Sequence, residues 1–186
     1  MNMRTRGFTL IELMIALAIF AFLVMLAGPM YADFMGNSQI RNAAENTLTG
    51  VRLAQTNAVR NNRAAKFVID PSAAGGWAVY PFDEDTNDYA VAAVDNYRWA
   101  EGAPKTTVTL LPGGATEVTF DGLGRVAANG YPLALDGTAS LTEIDVTNTN
   151  VSTPRALKVL ISAAGGATGT KLCDPLVLAP DPRSCS

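Results

Sequence analysis

The sequence predicts an α+β chain: one long N-terminal helix, membrane-spanning over its first half, packed on a C-terminal antiparallel β-sheet or sandwich domain. Three observations carry that expectation. An apolar run opens the chain, a stripe of small and apolar residues at helical spacing follows it, and from Ala64 onward short β-branched and aromatic runs alternate with Gly, Pro, Asn and Asp. The 186 residues are 48% hydrophobic and 17% charged, which suits a globular domain with an anchor and argues against disorder. Beyond the apolar run roughly 150 residues remain, enough for one domain with its own core.

The first element is the apolar helix. From Phe8 to Ala27 there are 20 residues, apolar apart from Thr9 and Glu12. At about 1.5 Å per residue the run spans roughly 30 Å, the thickness of a bilayer's hydrocarbon core. A carboxylate inside such a segment costs a few kcal/mol at the centre and less toward an end, so Glu12 needs a reason. A cleaved secretory signal is one reading, but the run is long, carries the Glu and lacks Ala-x-Ala; Met30-Tyr31-Ala32 has Met where a small residue is wanted. A lipoprotein signal lacks its Cys in "LAGP" at 26–29. A plain transmembrane anchor explains the length, and Arg4 and Arg6 would hold the N-terminus in the cytoplasm, but it gives Glu12 no role.

Beyond the anchor, Gly28-Pro29 predicts a kink or break, since Pro removes a backbone donor and crowds the preceding turn. Ile40, Ala43, Ala44, Thr47, Leu48, Val51, Ala54 and Ala58 then recur at spacings of three and four, an amphipathic continuation to about Asn61 whose stripe should lie on a sheet. Arg41, Arg52, Arg60 and Arg63 are spread over other faces among polar neighbours and read as a solvated surface. Strands are expected at 64–69, 76–80, 106–111, 117–120, 141–146 and 156–162, with a further one at 169–173. Segments 82–96 and 147–155 read as loops, the first acidic.

Composition excludes several chemistries. With no His, neither His-based catalysis nor a His-ligated metal site is available. Asp83 to Asp88 lacks the Gly and terminal Glu of an EF-hand loop, so a solvated acidic loop is expected and no metal. Gly122-Leu123-Gly124-Arg125 lies between strands and not before a helix, which makes it a hairpin turn and not a phosphate cradle. No catalytic constellation is evident and no cofactor is implied.

"RGFTLIEL" at 6–13 resembles the prepilin signature of type IV pilins and type II secretion pseudopilins. The resemblance implies the pilin fold and an order of parts: a leader over 1–7, a transmembrane and filament-core helix over 8–28, its amphipathic continuation over 29–62, and a β-rich periplasmic or extracellular domain over 63–186. It implies cleavage by a prepilin peptidase between Gly7 and Phe8, with Phe8 then N-methylated. Glu12 becomes an assembly residue, its carboxylate neutralising the free amine at Phe8 of a neighbouring subunit inside a water-poor helix bundle. Because one unpaired partner is costly at low dielectric, such a pair checks register more than it adds net stability. The breaker at Gly28-Pro29 would let that part of the helix stretch out in a filament. Loss of the leader takes Arg4 and Arg6 with it and leaves 12 bases against 17 acids, a net charge of −5.

The layout is similar to the GspH/FimT-type minor pilins and pseudopilins in "VRLAQTNAVRNNRAAKFVI" at 51–69, "VTFDGLGRV" at 118–126 and the ending "KLCDP" to "DPRSC". That likeness implies a minor type IV pilin of a pilus tip or priming complex, held in the inner membrane before assembly and partnered by other pilins. The alternatives are a type II secretion pseudopilin and a DNA-binding pilin for natural transformation. Cys173 and Cys185, 12 positions apart in the part expected to be periplasmic, read as a disulfide worth about 3 kcal/mol on the chain-entropy model; a metal pair or a redox couple lacks further ligands or the Cys-x-x-Cys spacing. In the DNA-binding relatives a Gly-Arg-x-Arg precedes the first of these cysteines. Here those positions are Thr168-Gly169-Thr170-Lys171, so only Lys171, helped by Arg183 and Arg155, remains as a weak DNA contact.

Overall fold

A 52-residue helix, α1 (Leu10–Asn61), organises the chain in a computed structural model that describes residues 8–164 and 167–185. It starts at Thr9, whose backbone is extended, and it ends at Asn62. That residue takes the left-handed conformation at φ 50° and gives its N–H to the carbonyls of Ala58 and Val59. The break expected at Gly28-Pro29 does not occur: α1 passes through both residues. Pro29 has no N–H to offer the carbonyl of Met25, a loss on the order of 3 kcal/mol. The Leu-, Ala- and Met-rich turns on either side are strong helix formers and carry the helix across.

The β-rich part forms two antiparallel sheets. The first joins β1 (Ala65–Asp70), β2 (Gly76–Asp83), β3 (Asp88–Tyr89), β4 (Asp95–Arg98), β6 (Glu117–Phe120) and β7 (Val126–Ala127) in the order β3-β2-β1-β6-β7, with β4 also on β2. The second runs β10-β9-β8-β5, from β5 (Thr107–Leu111), β8 (Glu143–Thr147), β9 (Leu157–Ala164) and β10 (Ala167–Cys173). Residues 141 and 142 stitch them together: the Leu141 N–H donates to Glu117 O of the first sheet, and Thr142 O accepts from Ile161 N of the second. Segment 82–96 is not wholly a loop, since it holds the end of β2, all of β3 and the start of β4. Those strands are short and mostly polar, each with one packed aromatic, Tyr89 on Phe82 and Tyr97 on Trp77, so no alternation marks them. A one-turn helix, α2 (Trp99–Gly102), follows β4.

The expected stripe is the one that packs. Ile40, Ala43, Ala44, Val51, Ala54 and Ala58 are fully buried, in a single core with Phe67, Val79, Phe120, Ile144 and Val159 from both sheets. Each large apolar side chain so buried contributes about 1.5–3 kcal/mol against its exposed state. Gly50 fits this interface because a Cβ there would stand 2.8 Å from both the Phe67 and the Trp77 ring. Those rings continue through Tyr97 to Trp99 with centroids 5.8, 6.3 and 5.8 Å apart. Lower on α1, residues 148–155 strap onto the helix: Ser152 N donates to Asp33 Oδ1 (3.0 Å), Arg155 N to Asn37 Oδ1 (2.8 Å), and Val151 lies where a Cβ on Gly36 would be.

Candidate functional site

Two halves of α1 meet different surroundings. Its second half is bedded on the domain from Asp33 onward, first on the 148–155 strap and from Ile40 on the sheets, whereas the first stands free, with none of its apolar run buried. Phe8, Phe20 and Met25 are 91%, 65% and 79% exposed. A surface so apolar over that length fits lipid or other helices, not water.

Glu12 sits one turn into this free half. Its carboxylate Oε2 accepts from the Thr9 amide and the Thr9 hydroxyl, both at 3.2 Å, while the Glu12 amide donates to Thr9 Oγ1 at 3.3 Å. This is a reciprocal capping box. It satisfies two of the helix's orphan donors and places a negative charge at the positive end of the helix dipole. Glu12 therefore has a role within a single chain as well as the one the resemblance implies. The signal for it is local: Thr-x-x-Glu ahead of an apolar run, at residues 9–12. Gly7 lies outside the described residues. Gly28 has open space around its Cβ position, so nothing in the folded chain requires a glycine there.

At the other end of the molecule, Cys173 and Cys185 are joined in a disulfide with Cα atoms 5.1 Å apart, and Asp174 N bonds Arg183 O across the loop they close. Leu176 and Leu178 project from that loop, 75% and 83% exposed. Arg183 is not a free cation: its guanidinium holds Asp181 Oδ2 at 2.9 Å, and that contact keeps the Asp181 carboxyl down at about 2. Arg52, 118 positions away in sequence, donates to Thr170 Oγ1 and O. Successive strand residues face opposite sides, so Arg52 and Lys171 lie on different faces of β10 and do not combine into a phosphate-binding patch.

Beside the end of α1 a cleft of about 490 Å³ is lined by Arg63, Glu84, Asp121, Leu123, Arg125 and Tyr131. Its charges pair with one another, Arg63 with Glu84 at 2.9 Å and Arg125 with Asp121 at 2.7 Å. Asp121 also caps the turn of the 121–125 hairpin by accepting from Leu123 N and Arg125 N, both at 2.9 Å. Nearby Tyr89, its hydroxyl donating to Tyr131 O and its ring under Lys66 Nζ at 4.5 Å, has its phenol pushed up to about 12 by burial. Among the described residues no group of three or more acidic or cysteine side chains is placed to hold a metal ion.

Comparison with known families gives two matches. A model of the prokaryotic N-terminal methylation motif fits residues 2–28, and one described as type II transport protein GspH fits residues 43–165. Two crystal structures of the type IV minor pilin FimU of Pseudomonas aeruginosa (strain PAO1) are similar to this chain. The form in space group P21 is 17% identical, covers 74% of this chain and 92% of its own, and has a TM-score of 0.48. The P65 form is 16% identical over 70% and 91%, with a TM-score of 0.43. No curated protein matches.

Proposed function

Since the chain belongs to the GspH family and carries the N-terminal methylation motif ahead of that domain, we propose that it is a minor type IV pilin, a structural subunit of a pilus tip or priming complex. The observation that carries this reading is the division of α1: a bare apolar half continuous with a half already satisfied by its own domain. A helix of that kind rests in a membrane until other apolar helices replace the lipid. Prepilin peptidase would cut between Gly7 and Phe8, and Phe8 would be N-methylated. The subunit would wait in the inner membrane with its N-terminus cytoplasmic and its β-rich domain periplasmic. In the filament, Glu12 of one subunit would neutralise the Phe8 amine of another.

Mass spectrometry of the protein recovered from sheared filaments tests the processing step. The reading expects a chain that begins at a methylated Phe8, and Gly7→Leu is expected to leave a form seven residues heavier in the membrane. Filament-borne protein that still begins at Met1 contradicts it. A second reading, a type II secretion pseudopilin, is favoured by the description of the matching family; deletion that abolishes export of secreted proteins while leaving surface pili intact selects it. A DNA-binding role draws little support, because Arg183 is paired and Lys171 stands apart from Arg52.

A further inference from the structure

The apolar stretch of α1 is bounded by a carboxylate at each end. Between Glu12 and Asp33 lie 20 residues, Leu13 to Ala32, with no charge among them. At about 1.5 Å per residue they span roughly 30 Å, as well matched to the hydrocarbon core as the run from Phe8 to Ala27. The two placements differ by five residues, about 7 Å along the axis, and they differ in cost. The frame from Phe8 to Ala27 puts Glu12 in hydrocarbon, while the frame from Leu13 to Ala32 leaves both carboxylates at polar boundaries. It also sets Tyr31 and Phe34, 67% and 69% exposed, astride the outer boundary where aromatic rings are favoured.

This frame brings the domain down onto the bilayer. Asp33 accepts from Ser152 N and Asn37 accepts from Arg155 N, so the strap is fixed at the level of helix residues 33–37. Residue 37 stands about 7.5 Å beyond Ala32, within the polar headgroup layer. The Arg155 side chain is exposed there. We propose that in the membrane-held subunit the hydrocarbon core runs from Leu13 to Ala32 and that the 148–155 strap rests on the lipid headgroups, with Arg155 against their phosphates. This rests on α1 being the membrane anchor. A cation at that depth draws anionic lipid, and the contact fixes how the domain sits over the membrane before a filament takes it up.

The test uses the full chain in vesicles, with single cysteines read by an impermeant maleimide and the native disulfide left oxidised. Gly28→Cys has room for its side chain and Ser38→Cys is an exposed control. Expected is slow labelling at Gly28→Cys against fast labelling at Ser38→Cys. Thr153→Cys is expected to label several-fold more slowly in phosphatidylglycerol vesicles than in phosphatidylcholine ones, and Arg155→Gln is expected to bring the two rates together. Equal labelling at 28 and 38 overturns the membrane frame, and lipid-independent labelling at 153 with Arg155 present overturns the headgroup contact. Protein that fails to float with the vesicles at all refutes the anchor reading itself, a different result from either.

Discussion

The first and second halves of α1 are one continuous helix with opposite solutions to the same problem. In the second half the helix hides its apolar stripe with small side chains, Ala43, Ala44, Gly50, Ala54 and Ala58, so that aromatic and β-branched residues of the sheets come close. In the first half nothing is hidden, and Leu, Ile, Phe and Met point in every direction. Residue size tells the two apart: a helix that meets a fixed partner is carved to it, and a helix that meets lipid needs only bulk apolar surface. The changeover falls at Asp33 to Asn37, where the strap first touches the helix.

Matched glycine substitutions break this comparison most sharply. Gly50→Leu must displace Phe67 and Trp77, with an expected cost of about 3 kcal/mol or outright failure to fold. Gly28→Leu meets nothing, so the domain's unfolding midpoint should not move. Urea unfolding followed by the fluorescence of buried Trp77 and Trp99 reads both, and equal losses would show that the halves are not independent. A smaller effect belongs to the start of the helix. Thr9→Ala removes the capping box and should cost about 1 kcal/mol of local helix stability, seen as faster hydrogen exchange at residues 10–13 with the domain unchanged.

A pH-dependent effect lies wholly within the domain. Tyr89 holds its proton up to about 12 when folded, against an ordinary 10 when unfolded. Its raised value therefore contributes stability that is complete below pH 10 and is lost as pH rises through about 12. Tyr89→Phe should flatten the alkaline limb of the stability curve in that window, and at neutral pH it should cost only the hydroxyl's bond to Tyr131 O, about 1 kcal/mol. An alkaline limb identical to the unaltered protein's would show that another group sets it.

Much of this architecture is legible in the amino-acid sequence. The apolar run, the stripe from Ile40 to Ala58 and most of the strands follow from periodicity, because burial imposes the period. The turn at 121–125 follows from Gly122 and Gly124 between strands, while the cap that Asp121 supplies appears only in the structure. What escapes a sequence reading does so for physical causes. β3 and β4 are too short for a period to show, and the single packed aromatic of each, Tyr89 and Tyr97, sets no side-chain pattern. Pro29 sits inside α1 because helix breaking depends on what the neighbouring turns can bear, not on the proline alone. Arg52 with Thr170 is a contact between positions 118 apart, which no local pattern foresees. Glu12 stands out as an anomaly in an apolar run, but its charge overshadows its bond to Thr9.

Those two roles of Glu12 separate in one variant. Glu12→Gln keeps an oxygen that can accept from Thr9 and so preserves the cap, but it removes the charge that would meet a neighbour's Phe8 amine. Its yield in sheared filaments, relative to its level in the membrane, is the direct measurement. Charge pairing between subunits predicts normal membrane levels with strongly reduced filament incorporation. Incorporation equal to that of the unaltered protein would contradict it and leave Glu12 as a helix cap alone.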